Sequence, residues 1–250
     1  ATGEVIETAD GREVEIWVLQ HADDPAILSA WATHYRQHYC RDEDLPDLVA
    51  DTGLSNADFL NNIKFPDAVV APGPSTRAGD FGEILVADFI EYVLGYWCPR
   101  QGRFEDRENR NVPSNGTDVI GFSFAGDEPS PDDELLVIES KAGFRRTNEN
   151  RLQQAIDHSG KDLVREAMSL SAIKQRLLKI NRIDAKKVGR FQNQADKPFR
   201  RTNAAAAVLD DAVFNDMALP ESDASNHPNG DNLRLIIIKG ISMMNLVHAL

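Results

Sequence analysis

The sequence predicts an α/β protein, and three observations carry that expectation. β-branched and aromatic runs at 115–124, 134–143 and from Leu233 read as strands, the last two almost continuously apolar. Apolar residues recur at helical spacing from about Ala78 to Leu94 and from Leu163 to about Ile180. Polar loops rich in Pro, Gly, Asp and Asn separate these runs, as where strands and helices alternate.

From the N-terminus, residues 13–20 alternate enough to be a strand, and Pro25 opens a helix that runs to about Cys40. His34 and His38 lie one turn apart on it, but no Glu follows the first His, so an exposed helix face is expected rather than a zinc site. From Asp42 to Thr76 the chain is acidic, then rich in Pro, Gly, Ala and Asn, with a short helix expected at Asn56–Ile63. Residues 1–75 read as an N-terminal accessory region and 76–250 as the core.

The helix from Ala78 carries Glu83. At 100° per residue, Val86, Ala87, Ile90 and Leu94 fall within roughly 60° of it, whereas Asp88 lies about 140° away. Glu83 thus heads a buried stripe, either as a partner of the helix N-terminus or as a site residue aimed inward. Tyr96–Arg103 reads as a strand. The polar run after it reads as a hairpin-like loop that brings Arg103, Arg107 and Arg110 towards Asp118.

The turn pair Asn115-Gly116 opens the next strand. Successive strand side chains alternate, so Glu139 and Lys141 share a face with Leu135 and Val137, and Asp118 shares one with Ile120, Phe122 and Phe124. Carboxylates at the margin of an apolar core need a compensating cation. A divalent ion with hard oxygen ligands, Mg²⁺ or Mn²⁺, would serve, and it would activate water and stabilise charge on a phosphate. Lys141 is placed to orient that water. A structural ion pair between neighbouring strands accounts for the same charges.

Beyond Lys141, Thr147 or Asn148 is expected to cap a helix bearing Gln153 and Gln154. Leu163, Ala167, Leu170, Ile173 and Leu177 form the packing stripe of a second helix. Phe191 and Phe199 would anchor a basic loop, and Ala204–Ala207 with Val208 suggest a short helix before an exposed loop at 220–232. On this reading, residues 142–232 are a helical insertion ahead of the strand from Leu233.

Composition bounds the function. There is no run of about 18 apolar residues and no signal-peptide pattern, so a cytoplasmic protein is expected. Cys40 and Cys98 are far apart and fit reduced core thiols. The formal net charge of −13 argues against a polyanionic ligand until its distribution is read. From Lys161 to Thr202 there are twelve Lys/Arg and four Asp/Glu, a balance of +8 against −21 elsewhere. Such segregation suggests a basic face on an acidic body, with Lys186, Lys187, Arg190, Arg200 and Arg201 as candidate nucleic-acid contacts, and solvated helix faces account equally for the same charges.

Glu83 on a helix, then Asp118 in GTDVIG, then Glu139-Ser140-Lys141 after an apolar run resembles the PD-(D/E)xK nuclease superfamily. Thr117 stands where the name-giving Pro would, a variation that family often shows. The likeness covers roughly 80–145 and the last strand. More loosely, the chain resembles the nuclease component of Hachiman-type bacterial antiviral systems, which works beside a helicase.

The resemblance implies a restriction-endonuclease-like mixed central sheet flanked by helices, with N-terminal and helical insertions. It also implies metal-dependent phosphodiester hydrolysis, of DNA rather than RNA. Asp118 and Glu139 would hold Mg²⁺ or Mn²⁺, Lys141 would position the nucleophilic water, and Glu83 would complete the metal shell or act as base. Gln153 or Gln154 becomes a minor site candidate. The contrasting function is a non-catalytic nucleic-acid-binding or assembly subunit in which the same charges form only an ion-pair network.

Overall fold

Strands β1 (Val5–Glu7) and β2 (Glu13–Leu19) open the chain as an antiparallel pair. The computed structural model describes residues 3–100, 102–114, 116–160, 163–214 and 219–250. Asn115 of the expected turn and Lys161 of the basic region lie outside the described residues. Helix α1 (Pro25–Arg36) follows, with Pro25 in its first turn and Asp24 capping the amides of Ala26 and Ile27. Two short helices, α2 (Leu45–Val49) and α3 (Asn56–Phe59), lead to the long α4 (Gly73–Tyr92).

Next come β3 (Val119–Ser123) and β4 (Glu134–Gly143), then α5 (Arg151–Ser159), α6 (Leu163–Ile180) and α7 (Arg182–Val188). The chain continues with β5 (Arg200–Asp210), β6 (Leu233–Gly240) and α8 (Met243–Ala249). Among the described residues the strands form one six-stranded sheet in the order β1-β2-β6-β5-β4-β3. β2, β6, β5 and β4 run parallel, and an antiparallel pair closes each edge. With helices on both faces this is a restriction-endonuclease-like arrangement.

The two-residue period of β4 distributes its side chains between two cores. Leu136 and Ile138 pack towards α4 with Ile84, Val86, Ala87 and Ile90. Leu135 and Val137 pack on the other side with Leu170 and Ile173 of α6, Val188 of α7, Phe191 and Phe199. The two phenylalanines do anchor their segment, with ring centroids 5.2 Å apart. α5 covers the same face further along, through Leu152, Ala155 and Ile156.

Several expectations are corrected. Ala204–Ala207 and Val208 lie in the fully buried middle of β5, which pairs with β4 and β6, and not in a helix. The helix preference of alanine is a weak prior, and burial on both faces of a parallel sheet overrides it. Small side chains also let α4 and α5 approach both faces. Residues 142–232 therefore include a central strand besides α5, α6 and α7, and residues 5–19 add two strands to the same sheet.

Among the described residues of Tyr96–Arg103 there is no strand. Trp97 alone bridges Phe122 through two backbone hydrogen bonds of 2.8 and 2.9 Å. Pro99 has no amide to continue the ladder, and Gly102 turns the chain at φ +68°. Asn150, rather than Thr147 or Asn148, caps α5 by accepting from the Gln153 amide at 3.1 Å.

Candidate active site

The β3–β4 register pairs Val119 with Ile138, so Asp118, one residue before β3, lies level with Glu139. Asp118 Oδ2 accepts a hydrogen bond of 2.9 Å from the Ser140 amide, which fixes the carboxylate against β4. Lys141 Nζ sits 2.5 Å from Glu139 Oε1, 3.3 Å from the Ser140 carbonyl and 3.8 Å from Asp118 Oδ2. Two of the carboxylates expected from the sequence, Asp118 and Glu139, thus converge on the Lys141 ammonium.

Glu83 reaches this region from α4. Gly82 allows the approach: a Cβ there would lie 3.2 Å from the Ala142 Cβ, tighter than most contacts, so a larger residue would push α4 off β4. Arg103 holds the Glu83 carboxylate at 3.1 and 3.3 Å and donates to the Thr117 carbonyl at 3.2 Å. Glu83 and Asp118 line one cavity of about 930 Å³, but Glu83 bonds Arg103 and does not share the Lys141 cation.

Burial makes both carboxylates costly to ionise. Burial pushes Glu83 up to about 8, with Arg103 opposing and the charge of Asp118 adding to the rise. Burial, then the Glu139 charge, pushes Asp118 up to about 6 against the pull of Lys141 and the Ser140 amide. A dication would relieve both. Among the described residues no group of three or more His, Cys, Asp or Glu side chains is arranged as a ready metal cage. The donor set around Lys141 is two carboxylates and one carbonyl, all hard oxygens, and Mg²⁺ characteristically takes one or two carboxylates and keeps water. That set fits the ion.

One neighbour escaped the sequence reading. His158 of α5 places Nδ1 3.4 Å from Glu139 Oε1, a contact across sheet and helix that no local pattern announces. Gln153 donates to Asp157 and Asp223, and Gln154 accepts from Arg151, so both are engaged away from the carboxylates. His34 bonds Asp88 at 3.0 Å. His38 is buried rather than on the exposed helix face expected, its Nδ1 is 3.2 Å from the Arg100 carbonyl, and burial depresses it to about 4, so it is neutral.

The loop arginines are divided in role. Arg107 is buried against Asp80 at 2.7 and 2.8 Å, where Tyr39 also donates at 2.8 Å, and Arg110 pairs with Asp67 at 2.9 Å. These pin the loop to α4 and to the N-terminal residues, and only Arg103 of the three binds a site carboxylate. Among the basic candidates further on, Lys186, Lys187 and Arg200 are exposed. Arg201 pairs with Glu166 at 2.7 Å. Arg190 is no surface group: it is buried, pairs with Asp133 at 2.6 Å and donates to the carbonyls of Gly126, Asp127 and Glu128.

Among the described residues no helix is long and apolar enough to cross a membrane. A family model described as HamA matches residues 2–250. No curated protein matches the chain.

Proposed function

The chain belongs to the HamA family, of Hachiman antiviral defence, and from that premise we propose that it is a divalent-metal-dependent nuclease hydrolysing phosphodiester bonds of DNA. The observation that carries the reading is the convergence of Asp118 and Glu139 on one cation, set by the β3–β4 register. Asp118, Glu139 and the Ser140 carbonyl would hold Mg²⁺ or Mn²⁺. Such an ion supplies an activated water at neutral pH and charge neutralisation on the phosphate.

The chain's own residues then have separate tasks. Lys141 holds a proton-bearing ammonium beside Glu139, where it orients an incoming water and offsets charge developing on a phosphate oxygen. Glu83, whose ionisation burial disfavours, can hold or give up a proton in the cavity it lines with Asp118. The Asp118–Ser140 hydrogen bond prevents that carboxylate from turning away.

A helicase partner is part of the proposal. Outside 161–202 the chain carries −21, and repulsion between this body and DNA acts over a Debye length of ~8 Å. A partner that delivers the strand offsets that repulsion. The lone protein is expected to cleave intact duplex poorly, and rapid unassisted degradation at physiological salt would remove the need for a partner.

The second reading, a non-catalytic binding or assembly subunit, draws on the same Lys141 contacts as a complete ion-pair network. Labelled single- and double-stranded DNA and RNA, incubated with the protein or its native complex in Mg²⁺, Mn²⁺ or EDTA, separate the two. Metal-dependent products support the nuclease. Their absence, with binding retained, supports the subunit.

A further inference from the structure

Among the described residues, Arg176 is the cavity's uncommitted cation. The neighbouring arginines are engaged: Arg107 by Asp80, Arg100 by Asp88 and Glu91, and Arg165 by the Gly116 carbonyl at 2.8 Å. Arg176 lines the same cavity and makes no hydrogen bond or ion pair with any described residue. Asp106 and Glu105 are close enough to attract it, yet neither pairs with it, and the Glu105 carboxylate lies 3.8 Å from Arg41. Arg103 faces Arg176 and repels it, and burial together with that repulsion lowers the Arg176 pKa. Arg103 spends Nε and Nη2 on Glu83 and Thr117, leaving Nη1 without a partner among the described residues.

Position explains the exposure of this group to the cavity. Arg165, Ser169, Ala172, Ile173 and Arg176 all line it, spaced four, seven, eight and eleven residues along α6, which is one helix face. The cavity therefore holds Glu83 and Asp118 with Arg103 bonded beside them, Arg176 facing Arg103, and an apolar wall between α6 and β3. At about 930 Å³ it is far larger than a simple ion needs.

We propose that Arg176, with the free edge of Arg103, binds a backbone phosphate of the nucleic-acid strand next to the one brought to Asp118 and Glu139. A guanidinium presents a planar fork that matches phosphate oxygens, and a phosphate between two like charges removes their repulsion. The sugar and base lie along the wall formed by Ile120, Ala172 and Ile173. Arg176 is thus a substrate-positioning residue. This proposal rests on the nuclease reading for its substrate, though its central claim is binding.

The test separates the two. Binding of a short fluorescent single-stranded DNA to the full chain is measured in EDTA, where no cleavage occurs, for wild type, Arg176→Gln and Arg176→Lys across a salt series. Arg176→Gln should bind about tenfold more weakly, with the salt slope reduced by about one, and Arg176→Lys should recover part of the loss. On the wild-type chain the same oligonucleotide should protect Arg176 from phenylglyoxal, read by mass spectrometry, which requires no variant to fold. Unchanged affinity and slope in Arg176→Gln, an oligonucleotide that wild type does not bind, or unprotected Arg176 overturns the subsite. Arg176-dependent binding without metal-dependent cleavage would leave the subsite standing and refute the nuclease.

Discussion

Arg103 Nη2 lies 3.1 Å from Glu83 Oε2 and donates in addition to the Thr117 carbonyl at 3.2 Å, so one guanidinium ties the α4 carboxylate to the peptide preceding Asp118. It also offsets the burial of a group raised to about 8. A carboxylate raised on folding favours the folded state fully below its ordinary pKa, near 4, and loses that advantage as pH rises through the folded value. Stability without metal should therefore fall as pH rises from 4 to 8 through Glu83 and Asp118. Arg103→Gln should steepen the fall, and a flat profile of melting temperature against pH in both proteins would contradict it.

The same titration sets the metal response. Ligand carboxylates bind a dication only when ionised, and Asp118 sits near 6. Added Mg²⁺ should raise the melting temperature more at pH 8 than at pH 5. An equal shift at both values would mean that the ion binds away from Asp118.

Asp118→Asn and Glu139→Ala should each abolish metal-dependent cleavage while leaving the circular dichroism spectrum unchanged. Asp118→Asn also removes a crowded buried charge, so it should gain stability at pH 8 of about 1–2 kcal/mol in a denaturant melt. Cleavage within twofold of wild type for either variant refutes the site.

Lys141→Ala should be inactive yet bind Mn²⁺ at least as tightly as wild type by calorimetry. The ammonium is no ligand, and its removal leaves Glu139 and Asp118 facing each other without a counter-charge. Weakened metal binding would instead make Lys141 a support for the ligand geometry.

The basic residues should divide into two classes. Charge reversal at Lys186, Lys187 and Arg200, which are exposed, should weaken DNA binding and flatten its salt dependence without affecting folding. Arg190→Ala should destabilise by about 3–5 kcal/mol, since it strands the buried Asp133 carboxylate. A well-folded Arg190→Ala with reduced DNA affinity would place Arg190 among the binding residues after all.

The strands 119–123, 134–143 and 233–240 and the helices around Glu83 and Leu170 were legible in the sequence, because each carries its period in its own residues. The order of Glu83, Asp118, Glu139 and Lys141 along those elements was enough to nominate a common site. Tertiary structure alone decided β5: four alanines favour a helix locally, and only pairing with β4 and β6 and burial on both faces make them a strand. It also decided the fate of the arginines. Arg103, Arg107, Arg176 and Arg190 are alike in sequence as charged residues in polar surroundings. One binds a site carboxylate, two are buried or locked in structural pairs, and one is left free in the cavity. A long cationic side chain takes its role from whichever carboxylate or carbonyl the folded chain brings within about 3 Å, and that partner lies tens of residues away.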